Sequence, residues 1–373
     1  MTWLRYGHAK PARGDAADPL LDQFMRELDV CERHSIEVDA PPAVTMAAAQ
    51  KVSLYDSRIV RAIFRARELI LRAEPDPRSR RGLLEELKAV GWGVLAEIPG
   101  RELVLGAFTK PWQANPVFHA IAAGEFAAFA EPDNVKITVT LRVDPRADGG
   151  SIFRTETRAI ATDPAARRKF RLYWSLLSPG IILIRMALMP LVRAAAERAW
   201  RIEGDDVVED PRAQLTHATI IDAPPRDVWP WLLQMGCQRA GWYSWDLLDN
   251  HGKPSADHII PELQHLAIGD VLPARPTGAE GFEVIRIVPE RALVLRGVSP
   301  AWTGTWSFVL VPIGSGQTRL VTRYRAAYPP STKMAVMLPV IATAHAIMEK
   351  KQLRTIKHHA EHMHGAPRVT PAA

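Results

Sequence analysis

At 373 residues the chain is too long for one ordinary domain and has room for two of roughly 150–180 residues, each able to bury a core. A content of 47% hydrophobic and 24% charged residues excludes a disordered or fibrous protein, and two cysteines far apart, Cys31 and Cys237, exclude a disulfide scaffold and fit a reducing, cytoplasmic setting. The net charge of +6 comes with no like-charged block longer than Arg167-Arg168-Lys169 and no aromatic–basic motif, which argues against nucleic-acid binding while permitting weak attraction to an acidic membrane surface.

Residues 1–33 read as an extension without an apolar core of signal-peptide length. Ile36 and Val38 then belong to an alternating strand that stops at Asp39-Ala40-Pro41-Pro42, where paired prolines cannot continue a ladder but can open a helix. Residues 94–98 and 103–105 flank Pro99-Gly100 as a hairpin. Ile137, Val139, Leu141 and Val143 alternate with Lys136, Thr138, Thr140 and Arg142, which predicts a strand with one apolar and one wet face. Asp148-Gly149-Gly150 turns it into a partner strand that starts near Ile152. The apolar stretch 173–192 contains Pro179, Arg185 and Pro190, so it reads as a helix buried on one side within its own domain rather than a membrane span. The prolines are expected to interrupt that helix, whose last turns cover 190–200.

The same order then recurs. His34 to Pro42 lies on His217 to Pro225 at an offset of 183, bringing Asp222-Ala223-Pro224-Pro225 onto the first Asp-Ala-Pro-Pro, with Val44 and Val228 following one residue out of step. Gly91 to Gly106 lies on Gly281 to Arg296 at an offset of 190, and Leu141 to Ala159 on Phe308 to Ala326 at 167. Three collinear matches make the chain a tandem duplication. The fold class is α+β: two domains, 34–200 and 215–364, each a curved antiparallel sheet around a long C-terminal helix, with an acidic linker at 201–214 and a tail at 365–373. The second closing helix is expected over 344–362, with Met348, Leu353 and Ile356 on its apolar side and Glu349, Lys350 and Lys357 on its polar side. The stretch 334–347 is too short to span a membrane.

The strand ending in Asp-Ala-Pro-Pro before a helix with Val228, Trp229 and Trp231, the hairpin GFEVIRIVPERALVLR, the strand pair TWSFVLVPIGSGQTRLVTRYR and the helix EKKQLRTIKHHAE together resemble the START-like, or Bet v1-like, helix-grip superfamily, which includes polyketide cyclase and dehydrase-like proteins. The resemblance implies a cavity between sheet and last helix. It does not imply an activity, because such folds host carriers, receptors and cyclases.

Residues 237–270 have no evident equivalent in the first half. Trp242, Tyr243 and Trp245 there, with Trp229, Trp302 and Trp306, are candidates for holding a flat apolar ligand, although aromatic residues dominate ordinary cores too. Asp246 and Asp249 are polar candidates in the same segment; Asp257 and His258 lie beyond them, and the spacing matches no zinc or calcium pattern. His358 and His362 share a helix face without His-Glu-x-x-His order, so neither a metal nor a cofactor is expected. Thr322 and Tyr324 alternate with Arg323 and Arg325, and Phe153, Thr155 and Thr157 with Arg154, Glu156 and Arg158. Either the threonines and Tyr324 face the cavity and the arginines face water, or the arginines face a ligand anion; the rarity of unpaired buried arginine favours the first. The leading expectation is a carrier or sensor of a hydrophobic small molecule, such as a lipid, polyketide or aromatic metabolite, centred on the second domain. A cyclase- or dehydratase-like enzyme and a non-catalytic interaction module are the alternatives.

Overall fold

Two units, Met1–Trp200 and Arg201–Ala373, make up the chain, and the computed structural model describes residues 12–71, 81–274, 281–298, 303–329 and 332–365. The first unit runs α1 (Pro19–Asp22), β1 (Val30–Val38), α2 (Pro42–Lys51), α3 (Arg58–Leu71), α4 (Leu83–Ala89), β2 (Gly93–Ile98), β3 (Glu102–Thr109), α5 (Ala123–Phe126), β4 (Val135–Pro145), β5 (Ser151–Ala161) and α6 (Pro164–Ala199). The second runs β6 (Ala213–Ile221), α7 (Pro225–Leu233), α8 (Asp246–Asp249), β7 (Val271–Pro273), β8 (Gly281–Val288), β9 (Ala292–Val298), β10 (Thr303–Ile313), β11 (Gln317–Ala327) and α9 (Thr332–Gly365). The sheets are antiparallel, in the orders β1-β5-β4-β3-β2 and β6-β11-β10-β9-β8-β7, and each grips the long helix that ends its unit.

The duplicated residues do duplicated work. Pro41 and Pro224 are extended, and Pro42 and Pro225 open α2 and α7. The hydroxyls of Ser151 and Thr318, 167 apart, donate to the carbonyls of Ala40 and Ala223 at 3.0 and 2.7 Å. The backbone N–H of Asp39 donates to Glu197 on α6, and that of Asp222 to Glu361 on α9, at 3.4 and 2.8 Å. Even the bulges match: register shifts at Val94/Ala96 in β2 and at Val284/Arg286 in β8.

Both closing helices are longer than the sequence suggests. α6 passes through Pro179 and Pro190 without a break. Its inner stripe, Phe170, Trp174, Leu188, Val192 and Ala196, is buried in its unit, and burial of each large apolar side chain contributes about 1.5–3 kcal/mol. That packing offsets the hydrogen bonds the prolines remove. By length and composition α6 would also be apolar enough to cross a membrane.

Parts of the outer sheet faces are covered rather than wet. Thr138 and Thr140 on β4 are buried, and Lys136 donates to the carbonyls of Phe126 and Ala127 at 3.1 and 2.9 Å, because the chain from Asp18 to Met25 and the region around α5 lie over them. Arg158, Arg323 and Arg325 are likewise on the outer face but buried, not solvated. Residues 201–212, read from sequence as part of a linker, lie along the second sheet: Asp205 sits against Arg323 and Arg325, Arg286 pairs with Glu203 and Asp206, and the Arg212 N–H donates to the Ala326 carbonyl at 2.8 Å.

Candidate functional site

The inner face of the second sheet is where four of the sequence candidates, Trp242, Trp306, Thr322 and Tyr324, meet. β10 and β11 pair Trp306 with Tyr324 and Phe308 with Thr322 in register, so all four share one face. Counting back by four and seven from the buried Leu353 and Ile356 places Glu349 on the sheet side of α9, and His345 lies one turn earlier. The indole N–H of Trp306 donates to Oε1 of Glu349 at 3.3 Å, and Oε2 stands 3.4 Å from Nδ1 of His345. Glu349 is only 3% exposed.

Aromatic rings wall this carboxylate. Trp242, carried by the insertion, stacks on Trp306 with centroids 5.3 Å apart and meets Phe282 edge-on at 5.6 Å. Phe282 and Phe308 approach Trp306 at 5.3 and 4.9 Å, and Tyr324 lies 5.1 Å from the His345 ring. Burial pushes the Tyr324 phenol up to about 12, helped by Tyr328, so it stays a neutral donor and acceptor near neutral pH. A second polar tier sits one turn further along α9. There the side-chain amide of Gln352 donates to the Trp242 carbonyl at 2.9 Å, while its Oε1 is buried with no hydrogen-bond partner.

Buried Gln234 ties three points of the insertion together. Its amide nitrogen donates to the Tyr243 hydroxyl at 2.7 Å and the His258 carbonyl at 3.0 Å, and its oxygen accepts from the Ile260 N–H at 2.9 Å. Tyr243, with φ of +59°, packs edge-on to Trp231, which stacks on His359 at 4.8 Å. Burial raises the Tyr243 phenol and, with His358 as a second cause, lowers the His359 imidazole.

Trp242, Trp306 and Tyr324 therefore converge, with Thr322 one position along, its hydroxyl 3.4 Å from the His217 carbonyl. Trp229 is buried core on α7 and Tyr243 is the part of the insertion that packs into the core. Trp245 is 49% exposed and does not join them. Asp246 fixes the insertion by accepting from the N–H and hydroxyl of Ser255 at 3.1 and 2.6 Å. Asp249 lies in the same loop, its pKa pushed up to about 6 by burial and by Asp246. Trp302 lies outside the described residues. Sequence reading missed His345, Glu349, Gln352 and Phe282. The helix count from Leu353 and Ile356 was the signal that places Glu349 on the apolar face, although its charge suggests the wet one. Among the described residues no group of three or more metal-ligating side chains is assembled.

No protein-family model matches the chain, and no curated protein matches it. Solved structures similar to it include the di-domain aromatase/cyclase StfQ from the steffimycin biosynthetic pathway, at 12% identity, a TM-score of 0.30 and coverage of 90% of this chain and 100% of that one. BexL, a di-domain aromatase/cyclase from the BE-7585A pathway, gives 13% identity, a TM-score of 0.24 and coverage of 91% and 99%. A single-domain aromatase/cyclase, ZhuI from Streptomyces sp. R1128, gives 13%, 0.26, and 40% and 93%.

Proposed function

We propose that this chain binds a hydrophobic small molecule between sheet and closing helix, mainly in the second unit, and that Trp242, Trp306 and Tyr324 hold it. The observation that supports this reading best is Glu349. A carboxylate almost without exposure inside an aromatic wall costs stability unless it serves something, and here it meets one indole N–H and one imidazole. Flat rings laid against the stacked pair Trp242 and Trp306, with a hydroxyl or carbonyl reaching Glu349 or His345, suit this wall. A lipid, polyketide or aromatic metabolite satisfies that description, and two buried free cysteines fit a cytoplasmic setting.

Native mass spectrometry of gently purified protein is expected to show a co-purifying small molecule, and titration with naphthols to quench the tryptophans. Trp306→Ala should abolish both. Unchanged fluorescence across such titrations, with no mass above that of the chain, would remove the reading.

The His345–Glu349 pair favours a second reading, acid–base catalysis on the bound molecule, since an imidazole and a carboxylate stand 3.4 Å apart at the same aromatic wall. Turnover that survives His345→Gln with the same pH profile would count against it.

A further inference from the structure

The inner face of the first unit differs from that of the second in one respect: its buried apolar side chains form two clusters, not one. Val30, Phe170 and Trp174 belong to one, and Val38, Leu188 and Val192 to the other. Between them runs a polar belt. Glu32 and His34 contribute from β1, with Nε2 of His34 3.7 Å from Oε2 of Glu32. Directly opposite in register stand Thr157 and Thr155 on β5. On α6, Ser178 and Arg185 lie seven residues apart on the same stripe.

Several of these groups are buried without a protein partner. The hydroxyl oxygens of Thr155, Thr157 and Ser178 and the indole nitrogen of Trp174 have no hydrogen bond, although Ser178 is fully buried and Thr155 2% exposed. Buried polar groups in folded proteins are paired, so a row of orphans on one surface marks a place where something else supplies the partners. Arg185 makes no hydrogen bond or ion pair among the described residues. Burial lowers its pKa to about 10, with Glu32 acting the other way, yet the side chain keeps exposed surface. His34 feels the same surroundings: burial lowers its pKa, and Arg185 lowers it further, which leaves a neutral imidazole.

The duplication gives this belt its meaning. Arg185 stands twelve residues before Glu197 and Glu349 twelve before Glu361, and those two glutamates accept the same turn N–H in their units. One helix position therefore presents a cation inward in the first unit and a carboxylate inward in the second. His34 and His217 correspond, as do Thr155 and Thr322, whereas Glu32 falls on Leu215 and Thr157 on Tyr324.

We propose that the first unit holds a second small-molecule site of different selectivity, for an apolar hydroxy acid whose carboxylate meets Arg185 and whose hydroxyl meets Glu32. Thr155, Thr157 and Ser178 hydrogen-bond the same oxygens, and the two apolar clusters take the hydrocarbon on either side. Arg185 offsets the ligand carboxylate, and Glu32 accepts a hydrogen bond that Leu215 in the second unit cannot.

The test uses the full chain and three fluorescent probes: 3-hydroxy-2-naphthoate, 2-naphthoate without the hydroxyl, and 2-naphthol without the carboxylate. The first is expected to bind most tightly. Arg185→Met should weaken it at least tenfold and remove the advantage over 2-naphthol, while Glu32→Gln should reduce the advantage over 2-naphthoate. Glu349→Gln weakens naphthol binding in the second unit, and in that background Arg185→Met should still cost 3-hydroxy-2-naphthoate at least tenfold, which separates this site from the one in the second unit. Equal binding of 3-hydroxy-2-naphthoate in wild type, Arg185→Met and Glu32→Gln would overturn the proposal, as would finding that the belt holds water only and none of the probes. Circular dichroism of each variant shows that it is folded, and Arg185→Lys, which keeps the charge, should restore part of the affinity.

Discussion

Asp205 lies 2.9 Å from Nη1 of Arg325 on the outer face of the second sheet, and its other oxygen lies 2.6 Å from Nη1 of Arg323. In the first unit Asp22 holds Arg158 at 2.6 Å. Asp22 and Asp205 are 183 residues apart, like the two Asp-Ala-Pro-Pro segments, and Arg158 and Arg325 are 167 apart, like the last hairpins. The ion pair that ties the segment before the first strand to the outside of the sheet was therefore duplicated with the fold.

These pairs are unequal in consequence. Asp205 is the carboxylate that faces two guanidiniums with almost no exposure, so Asp205→Asn removes their shared counter-charge and should destabilise the second unit by about 3–5 kcal/mol. Asp22 is 27% exposed, and Arg158 keeps Glu156 at 2.5 Å and the Met25 carbonyl at 2.6 Å. Asp22→Asn should cost only about 1–2 kcal/mol. Urea unfolding followed by tryptophan fluorescence measures both, and equal losses would contradict this ranking.

Much of the scaffold was legible because its signals are local. Proline pairs, hairpin turns such as Gly100 and Gly149 at positive φ, and the alternation along β4 each describe a few neighbouring residues. The covered outer faces were not. Alternation reports only the polarity of a side chain, and Thr138, Thr140 and Arg158 look solvent-facing whether water or a short irregular segment lies over them. Glu349 was misplaced for the related reason that charge was taken as a sign of exposure. A helix count outranks charge when buried residues four and seven positions away fix the face.

Glu102 gives the first unit a pH-dependent stability. It is 4% exposed, and burial followed by the neighbouring Asp18 pushes its pKa up to about 8, against the smaller pull of Arg142 and Arg101. A carboxyl raised in the folded state contributes stability that is full below its unfolded value near 4.5 and is lost as pH rises through about 8. The first unit should therefore lose on the order of 1–3 kcal/mol between pH 5 and pH 8 through this group. Glu102→Gln should flatten the melting temperature across that range; a slope that persists in the variant would assign it elsewhere.

Asp249 shows the same sign at a lower pH. Both of its oxygens are buried without a hydrogen-bond partner, and its pKa of about 6 stands above the ordinary 3.8. Its contribution is present below pH 3.8 and is lost as pH rises through 6. Asp249→Asn should stabilise the second unit at pH 7 by about 1 kcal/mol and change nothing at pH 4. A destabilised Asn variant at pH 7 would show that the carboxylate has a use in the folded protein.

Neither thiol should react in the native protein. Burial, then the Glu156 charge, pushes Cys31 up to about 12, and burial with Asp249 nearby also raises Cys237. Iodoacetamide at pH 8 is expected to label neither cysteine until urea unfolds the chain, and fast labelling of Cys31 in buffer would place it at an opening this structure does not have.

Glu349 separates a structural from a ligand-binding role through two substitutions. Glu349→Ala strips the Trp306 indole of its acceptor and leaves a void beneath the aromatic wall, so a loss of about 2–4 kcal/mol is expected. Glu349→Gln keeps an acceptor oxygen for that indole and removes a buried charge, so the melting temperature should hold or rise. If the carboxylate serves the bound molecule, the Gln variant should nevertheless bind 1-naphthol at least tenfold more weakly than the wild type. A Gln variant that melts as early as the Ala variant would instead make the carboxylate an anchor for α9, leaving Trp242 and Trp306 to define the ligand face alone.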